Sequence, residues 1–418
     1  MNTKKLWTRA AAVLTLDGPA GPRAGAAMGE LGIVRDATLA ADEHGLVSWV
    51  GPAAAVPAQH RDGAEEIDCR GKTLVPGLVD PHTHVVWGGG RRDELEMRLA
   101  GADYEEIFEK GGGILSSVRQ TRDAKEDDLY AATLARVRRM RRAGTTTLEI
   151  KSGYGLDVQT ELRQLRVARR LRAAGFRVKT TCLAAHAVPQ DARDEGEAGR
   201  ERFLKMVCEE VLPAVHDQRL AEYVDVFCDR GAFTPEESRR VLSTAKALGF
   251  ALRVHANEFG HTGGAALAAE LGAASADHLL HLDDGEREAL REAGVVATML
   301  PGTSLVLGKP YADGRKLVEA GVPVAIATDC NPGSCALENL AMVLGLSCYG
   351  NHLSPAEAIC AATHNAAASL SLDREVGSLV PGRSADVVVL GTPDYRDLVY
   401  HAGSPLIDAV YQEGVAVA

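Results

Sequence analysis

The chain has 418 residues, of which 46% are hydrophobic and 25% are charged, and its formal net charge is −11. This composition is typical of a folded globular protein and excludes extended disorder, while the acidic balance with scattered basic residues gives no nucleic-acid footprint. No segment is long enough to span a bilayer, and the eight cysteines include no CxxC pair, so we expect a cytoplasmic protein with buried thiols and no disulfide scaffold.

Both ends of the chain are predicted to be rich in β-strands. Residues 1–75 contain short strand-like segments separated by Gly, Pro and Asp, at 11–16, 36–39, 46–50 and 66–69. The tail, residues 376–418, contains similar segments at 384–390 and 407–417. We predict that the two ends pair into one small β-sandwich domain beside a central domain.

The central region, residues 76–375, alternates apolar strand-like runs with amphipathic helical stretches, which is the pattern of βα units. In the segment 158–174, for example, Leu162, Leu165 and Leu171 share one helical face, and Gly175 closes the helix. Eight strands are predicted, at residues 73–80, 145–150, 177–184, 223–227, 251–254, 274–277, 295–300 and 322–327. The predicted fold class is therefore α/β: a (β/α)8 TIM barrel with a small β-sandwich domain built from both chain ends.

Two histidines follow the first predicted barrel strand, in the sequence Val79-Asp80-Pro81-His82-Thr83-His84. Side chains two positions apart along an extended chain project to the same side, so His82 and His84 can offer two imidazoles to one metal ion. A His-x-His pair alone is more often a pair of ordinary surface or core histidines. The metal interpretation therefore depends on the rest of the chain.

Polar side chains suited to binding or catalysis follow most of the other predicted strands. In chain order they are Lys151 with Tyr154, His186, Cys228 with Asp229, His255, His278 and Asp329, while Pro301 and Gly302 follow the seventh strand. In a (β/α)8 barrel the catalytic groups cluster at the C-terminal mouth. Because the chain has only 13 histidines, their recurrence at strand ends predicts a functional site at this mouth.

Four of these side chains form a suitable ligand set for one transition-metal ion. Neutral imidazoles and a carboxylate suit zinc or iron, and we assign His82, His84, His255 and Asp329 to this role. A catalytic ion of this kind keeps a position for water and lowers the pKa of that water to about 7. The predicted chemistry is therefore metal-dependent hydrolysis.

Hydrolysis also needs a group that collects a proton and passes it to the leaving nitrogen. Glu258, three residues after His255, is the favoured proton shuttle, although in isolation it could equally be a surface glutamate. His278 is a second candidate, which could polarise the substrate carbonyl or hold the water; alone it could be an ordinary core histidine. Asp329 could share the proton through a hydrogen bond to the water.

These motifs resemble the amidohydrolase superfamily of metal-dependent hydrolases. The resemblance rests on segments between about residues 76 and 335: PGLVDPHTH at 76–84, GGGR at 88–91, GGGILS at 111–116, EIKSGYGL at 149–156, AHAVP at 185–189, HANE at 255–258, SADH at 275–278, LPGT at 300–303 and TDCNPGS at 328–334. The metal-ligand residues in the segments with His82 and Asp329 mark only the superfamily, whereas the complete Lys-Ser-Gly-Tyr-Gly-Leu and Asp-x-Asn-Pro-Gly-Ser sequences are much more specific. We expect residues 111–113 to form a loop over the barrel mouth.

Within the superfamily, the resemblance implies hydrolysis of the cyclic amide C–N bond of 4-imidazolone-5-propanoate to N-formimidoyl-L-glutamate, a step of histidine degradation. It implies that Arg91 binds the substrate carboxylate through two parallel N–H bonds. The other implied substrate contacts are Tyr154, His186, Glu258, Asn331, Gly333 and Ser334. The expected partner is thus a small molecule, without nucleic acid or membrane, and the family resemblance implies a homodimer.

The resemblance also bears on the number of metal ions. Superfamily members with two metals usually bridge them with a modified lysine at the end of the fourth strand, but here that strand ends Asp225-Val226-Phe227-Cys228-Asp229. Lys151 is the only lysine at a strand end, and it follows the second strand. We therefore expect one divalent transition metal per subunit, zinc or iron.

Two alternatives stay open at this stage. An aminohydrolase that releases ammonia from a purine or pyrimidine would use the same His, Glu, His and Asp arrangement, but a neutral base would give Arg91 no carboxylate to bind. A non-catalytic scaffold that has lost its metal ligands is disfavoured because all four ligands are present. Assays of ring opening against ammonia release, and metal analysis, separate these hypotheses.

Overall fold

The computed structural model describes residues 3–101 and 112–418. It contains an eight-stranded parallel sheet and a second, mixed sheet to which both chain ends contribute. The predicted fold class, a TIM barrel with a small domain built from the two ends, is therefore confirmed. Of the predicted glycine-rich loop at 111–113, Gly111 lies outside the described residues, and Gly113 immediately precedes a helix.

The eight strands of the parallel sheet lie side by side in the order in which they occur along the chain. Its strands are β6 (Leu78–Asp80), β7 (Thr145–Lys151), β8 (Arg177–Ala185), β9 (Tyr223–Cys228), β10 (Ala251–Ala256), β11 (Ser275–His278), β12 (Val296–Met299) and β13 (Val324–Ile326). All are buried along most of their length, as expected for a parallel sheet covered by helices.

Helices connect and cover the strands. The α-helices are Ala58–Arg61, Arg92–Leu99, Ile114–Asp123, Glu126–Arg142, Val158–Ala173, Gln190–Asp194, Gly196–Met206, Leu212–Asp217, Pro235–Ala247, Gly264–Leu271, Asp284–Ala293, Pro301–Leu307, Gly314–Glu319, Leu340–Gly350, Pro355–Ala361, His364–Ser369 and Asp397–Tyr400, with short 3₁₀ turns at Gly25–Gly29 and Ala53–Ala55 and a π-helical turn at Val207–Val211. The predicted helix at 158–174 is present, and Asp157 caps its N-terminus by accepting from Thr160 N.

The mixed sheet joins the two chain ends. Its strands are β1 (Lys5–Leu14), β2 (Ile33–Ala41), β3 (Val47–Pro52), β4 (Glu65–Asp68), β5 (Thr73–Pro76), β14 (Val387–Leu390), β15 (Ile407–Gln412) and β16 (Val415–Ala416). The pairing of β5 with β14 connects the N-terminal and C-terminal parts. The sheet curls back on itself, since Val47 N donates to Arg383 O at 2.8 Å, and one hydrophobic cluster that includes Trp7, Leu39 and Val387 is enclosed by it.

The predicted strand at 73–80 is wrong as a single element. Residues Thr73–Pro76 belong to the mixed sheet, and the barrel begins only at Leu78. Gly77 separates the two strands because its backbone passes so close to Thr146 that a Cβ would overlap the threonine side chain. The segment predicted at 407–417 is likewise two strands, which form a hairpin.

Among the described residues, no helix has the length and apolar character needed to cross a membrane.

Candidate metal centre

The closure of the barrel brings the first and last strands of the parallel sheet together at its mouth. Just beyond β6 and β13, Asp329 N donates to His82 O at 3.1 Å, and His84 N donates to Cys330 O at 3.0 Å. These two backbone hydrogen bonds place residues that are far apart in sequence side by side. His82, His84 and Asp329 therefore share one end of the barrel, as predicted from the strand count.

Four predicted ligand side chains converge at this point. His82 Nε2 lies 3.2 Å from His84 Nε2, and His84 Nε2 lies 3.4 Å from His255 Nε2. Asp329 Oδ1 lies 3.5 Å from His82 Nε2 and 3.4 Å from His84 Nε2. All four side chains are buried. The arrangement needed by the metal hypothesis is therefore present.

Carboxylates behind the histidines fix how two of the rings face the centre. His82 Nδ1 donates to Asp277 Oδ2 at 2.6 Å, which puts the proton on Nδ1 and leaves the Nε2 lone pair free. His255 Nδ1 lies 2.9 Å from Asp225 Oδ2. Burial, followed by the charge of Lys151, lowers the pKa of His82 well below its usual value, so the imidazole is neutral and can act as a ligand.

The donor set fits a divalent transition ion. Lone pairs that face one another at van der Waals distance repel, and a shared cation removes this repulsion. Ligand atoms about 2.0–2.1 Å from a tetrahedral zinc ion would be roughly 3.3–3.4 Å apart. The separations within the group His82, His84 and Asp329 are close to this value, and His255 Nε2 adjoins the group at His84. Three imidazoles and one carboxylate suit zinc or iron in ligand type as well.

Lys151 is engaged elsewhere and is not available as a bridging ligand. Its Nζ lies 2.9 Å from Glu149 Oε1 and 2.8 Å from Asp225 Oδ2, and the whole side chain is buried. Burial alone would lower the pKa of Lys151, but the carboxylates of Asp225 and Glu149 raise it above its ordinary value. Lys151 is thus a charged structural partner of the carboxylate behind His255.

Asp329 is held from its other side by Thr303. Thr303 Oγ1 donates to Asp329 Oδ2 at 2.6 Å, so Oδ1 is left facing the histidines. Thr303 is buried at the start of the helix Pro301–Leu307. Thr303 therefore contributes to the candidate site, although no role was predicted for the residues that follow the seventh barrel strand.

Replacing Thr303 by Val should lower the affinity for a divalent transition ion about tenfold, since loss of a partner that orients a ligand typically costs 10- to 100-fold. Valine retains the volume but not the hydroxyl, whereas Thr303→Ser retains the hydroxyl and serves as the control. Competition with a chromogenic chelator measures the affinity. Equal affinities for the Val and Ser variants would contradict this role.

Glu258 lies next to His278 at the same mouth. Glu258 Oε2 is 3.5 Å from His278 Nδ1, and both side chains are buried. Burial, together with the charges of Asp329 and Asp229, raises the pKa of Glu258 well above its ordinary value. Burial lowers the pKa of His278 to about 3. Glu258 therefore keeps its proton to a higher pH than an ordinary glutamate, and it lies beside an imidazole that is neutral at neutral pH.

The loop that carries Glu258 is anchored through Asp229. Asp229 Oδ2 accepts from the backbone N–H groups of Glu258, at 2.5 Å, and of Phe259, at 2.9 Å. Asn257 adopts a left-handed conformation, with φ 54°, and its side chain donates to His281 O at 2.8 Å. Asp229, which follows the fourth barrel strand, is thus a positioning residue for Glu258.

Left-handed backbone recurs at the strand ends that carry the site. Asn257 has φ 54°, His278 has φ 77° and Asp329 has φ 51°. Such conformations cost a non-glycine residue of order 1–3 kcal/mol and concentrate at functional sites. Here they turn the chain sharply, so that Glu258, His278 and Asp329 face the same point.

Tyr154 and His186 form an aromatic wall beside the four ligand side chains. The His186 ring stacks on the His84 ring, with centroids 5.1 Å apart and planes at 19°, and lies 5.4 Å from the Tyr154 ring. His186 Nδ1 donates to Gly153 O at 3.0 Å. The loop before the helix Val158–Ala173 folds around the buried carboxylate of Glu161, which accepts from three of the loop's backbone N–H groups.

Arg91 and the loop containing Asn331 border the site on another side. Arg91 Nε and Nη2 lie 2.8 and 2.7 Å from Glu94 Oε2. The Nε and Nη2 edge of Arg91 is therefore already paired with Glu94, and the Nη1 and Nη2 edge remains. Nη1 is packed against Gly333 so closely that a Cβ there would overlap it.

Asn331 organises its own loop. Its Oδ1 accepts from Gly333 N at 2.8 Å and from Ser334 N at 2.7 Å, and its Nδ2 donates to Asp329 O at 2.7 Å. The donors that were expected to meet a substrate are thus used within the loop. This loop places Gly333 against Arg91 and supports the backbone of Asp329.

Several contributing residues were not assigned from the sequence. They are Asp225 and Asp277 behind the histidines, Thr303 beside Asp329, Glu161 under the Tyr154 loop, and Glu94 and Arg98 near Arg91. An acidic residue within an otherwise apolar strand, as for Asp225 and Asp277, is a signal that could have identified two of them.

The comparisons with known proteins agree with this geometry. The sequence profile of the Amidohydrolase family matches residues 73–417, so the chain belongs to the amidohydrolase family. Its relatives include the imidazolonepropionase of Desulfotalea psychrophila, 45% identical over 95% of each chain. The imidazolonepropionase of Symbiobacterium thermophilum is 45% identical over 94% of this chain and 93% of its own length. An adenosine deaminase from Xanthomonas campestris with bound zinc shares the fold, with a TM-score of 0.69 at 20% identity, over 98% of this chain and 92% of its own.

Proposed function

We propose that the protein hydrolyses the cyclic amide bond of 4-imidazolone-5-propanoate in histidine degradation. Water adds to the ring carbonyl carbon, the carbonyl C–N bond breaks, and the departing nitrogen takes a proton, which gives N-formimidoyl-L-glutamate. The observation that carries the proposal is the 45% identity to an imidazolonepropionase over 95% of both chains. The converging ligand side chains and the adjacent arginine support it.

We assign the metal ligands as His82, His84, His255 and Asp329, with one zinc or iron ion per subunit. The bound ion would activate the water and polarise the ring carbonyl. Asp277 and Asp225 orient two of the imidazoles, and Thr303 holds the carboxylate. The single-ion assignment is supported by the engagement of Lys151 with Glu149 and Asp225.

The other side chains would move protons and hold the substrate. Glu258, whose pKa is raised by burial and by the charges of Asp329 and Asp229, would donate a proton to the leaving nitrogen. His278, which is neutral, would accept or donate a hydrogen bond at the carbonyl. Tyr154 and His186 would flank the flat ring. Asn331, Gly333 and Ser334 would border the propanoate side of the substrate, with Arg91 binding its carboxylate.

The proposal is tested by incubating the purified protein with 4-imidazolone-5-propanoate and following loss of the substrate's ultraviolet absorbance. We expect turnover that stops on addition of a chelator and returns with zinc or iron. Parallel assays for ammonia release from purines and pyrimidines test the aminohydrolase alternative. Ammonia release without ring opening of the imidazolone would overturn the proposal.

Replacing Arg91 by Ala should raise KM for the imidazolone about 10- to 100-fold, because a charge-assisted hydrogen bond to the substrate carboxylate is lost. The effect on kcat should be smaller, since the carboxylate lies away from the bond that breaks. Steady-state kinetics measure both constants. An unchanged KM would remove Arg91 from carboxylate recognition.

The homodimer implied by the family resemblance and the cytoplasmic location expected from the sequence stay predictions.

A further inference from the structure

Two guanidinium groups share the neighbourhood of a single carboxylate beside the metal centre. Arg91 pairs with Glu94, and Arg98 lies close to Arg91 because both guanidinium groups contact Gly333. Glu94 and Arg98 are four residues apart on the helix Arg92–Leu99, so they lie on the same helical face. One positive charge of this group is therefore left uncompensated among the described residues.

Arg98 reaches the loop that borders the site. Its Nη2 donates to Gly333 O at 3.0 Å, and Arg91 Nη1 packs on the same glycine. Among the residues that the structure describes, Arg98 Nε is buried and has no hydrogen-bond acceptor. Burial and the charge of Arg91 lower the pKa of Arg98, and the charge of Glu94 offsets this only in part.

We propose that Arg98 is a second carboxylate-binding residue, which acts with Arg91 to select an anionic side chain on the substrate. This inference rests on the proposed function and names the specificity of its site. Glu94 occupies the Nε and Nη2 edge of Arg91, so Arg91 cannot offer that bidentate edge to the substrate. Arg98 supplies additional N–H donors, and the substrate carboxylate neutralises the surplus charge.

Glu94 then serves to orient the two arginines. Its second oxygen, Oε1, accepts from Gly113 N at 3.1 Å, so the carboxylate is fixed between the helix Arg92–Leu99 and the helix Ile114–Asp123. A Glu94 held in this way keeps Arg91 turned toward Gly333. The selection of a substrate anion is therefore a property of the residue group Arg91, Glu94 and Arg98.

The test compares two substrates on three variants. For Arg98→Ala we expect KM for 4-imidazolone-5-propanoate to rise about 10- to 100-fold, with kcat changed less and metal content unchanged. KM for a 5-ethyl-4-imidazolone, which lacks the carboxylate, should stay within a few-fold of the wild-type value. Arg98→Lys retains the charge but loses the planar fork, so its KM for 4-imidazolone-5-propanoate should lie between those of the wild type and Arg98→Ala. Arg92→Ala, an exposed arginine on the same helix, is the matched control.

The outcomes separate the two proposals. If the wild-type protein does not open the imidazolone ring at all, the proposed function fails. If the wild type does so and Arg98→Ala leaves KM unchanged, or raises KM equally for both substrates, the role of Arg98 in carboxylate binding is overturned while the function stands. Arg98→Gln, which retains a similar length, replaces the alanine variant if that variant does not fold.

Discussion

Replacing His255 by Ala is expected to remove the metal ion and abolish turnover. His255 Nε2 is 3.4 Å from His84 Nε2, at the centre of the converging side chains. Loss of a residue that merely orients a ligand already costs 10- to 100-fold in metal affinity, so loss of a ligand should cost at least about 100-fold. Without the ion, the protein has no means of activating water at neutral pH.

Elemental analysis measures the metal content of the purified His255→Ala variant, and the ultraviolet assay measures its turnover. Thermal unfolding with and without chelator gives a second measurement, because an ion that binds only the folded state stabilises it. Chelator should lower the Tm of the wild type and leave that of the variant unchanged. His44→Ala, which alters an exposed histidine in the N-terminal part of the chain, is the control. A variant with one ion per subunit and a normal rate would refute the ligand assignment.

The positions of the proposed ligands could be predicted because they follow from chain order. Once eight strands are counted, a parallel barrel requires their carboxyl ends to meet at one mouth, so His82, His255 and Asp329 come together whatever the details of packing. The strand boundaries agreed within a few residues, apart from the break at Gly77. There residues 74–79 are apolar apart from Gly77 and read as one strand, whereas in the structure Gly77 lies between two strands and packs against Thr146.

The residues behind and beside the ligands could not be predicted in the same way. Asp277 lies behind His82 because its side chain on β11 faces the barrel interior. The sequence of such a short strand does not show which of its side chains face inward. Thr303 contacts Asp329 only because the helix Pro301–Leu307 begins directly at the mouth. Arg91 shows the same limit: its role as a carboxylate-binding residue was expected, but its pairing with Glu94 depends on how the helix Arg92–Leu99 packs.

Replacing Glu258 by Gln is expected to preserve the metal ion and lower kcat about 10²- to 10⁴-fold, the usual contribution of a general acid or base. Glutamine has the same shape, and the backbone contacts to Asp229 do not involve the altered group. The variant should therefore bind substrate with a similar KM. Glu292→Gln, at an exposed position, is the control, and a near wild-type kcat for Glu258→Gln would remove the residue from proton transfer.

The pH dependence separates the two proton-transfer roles that Glu258 could have. Burial and the charges of Asp329 and Asp229 raise its pKa well above the ordinary value, so Glu258 keeps its proton to a higher pH than an ordinary glutamate. If Glu258 acts as the acid that protonates the leaving nitrogen, the wild-type rate falls as the pH rises through this raised pKa. If Glu258 must first act as a base, the rate rises over the same interval.

In either case this pH-dependent part of the rate profile should disappear in Glu258→Gln, because the amide does not titrate. A pH dependence that persisted in the variant would belong to another group. His278 has its pKa lowered to about 3 and does not change its charge near neutral pH. Loss of the pH dependence in the glutamine variant would therefore assign the titrating group to Glu258.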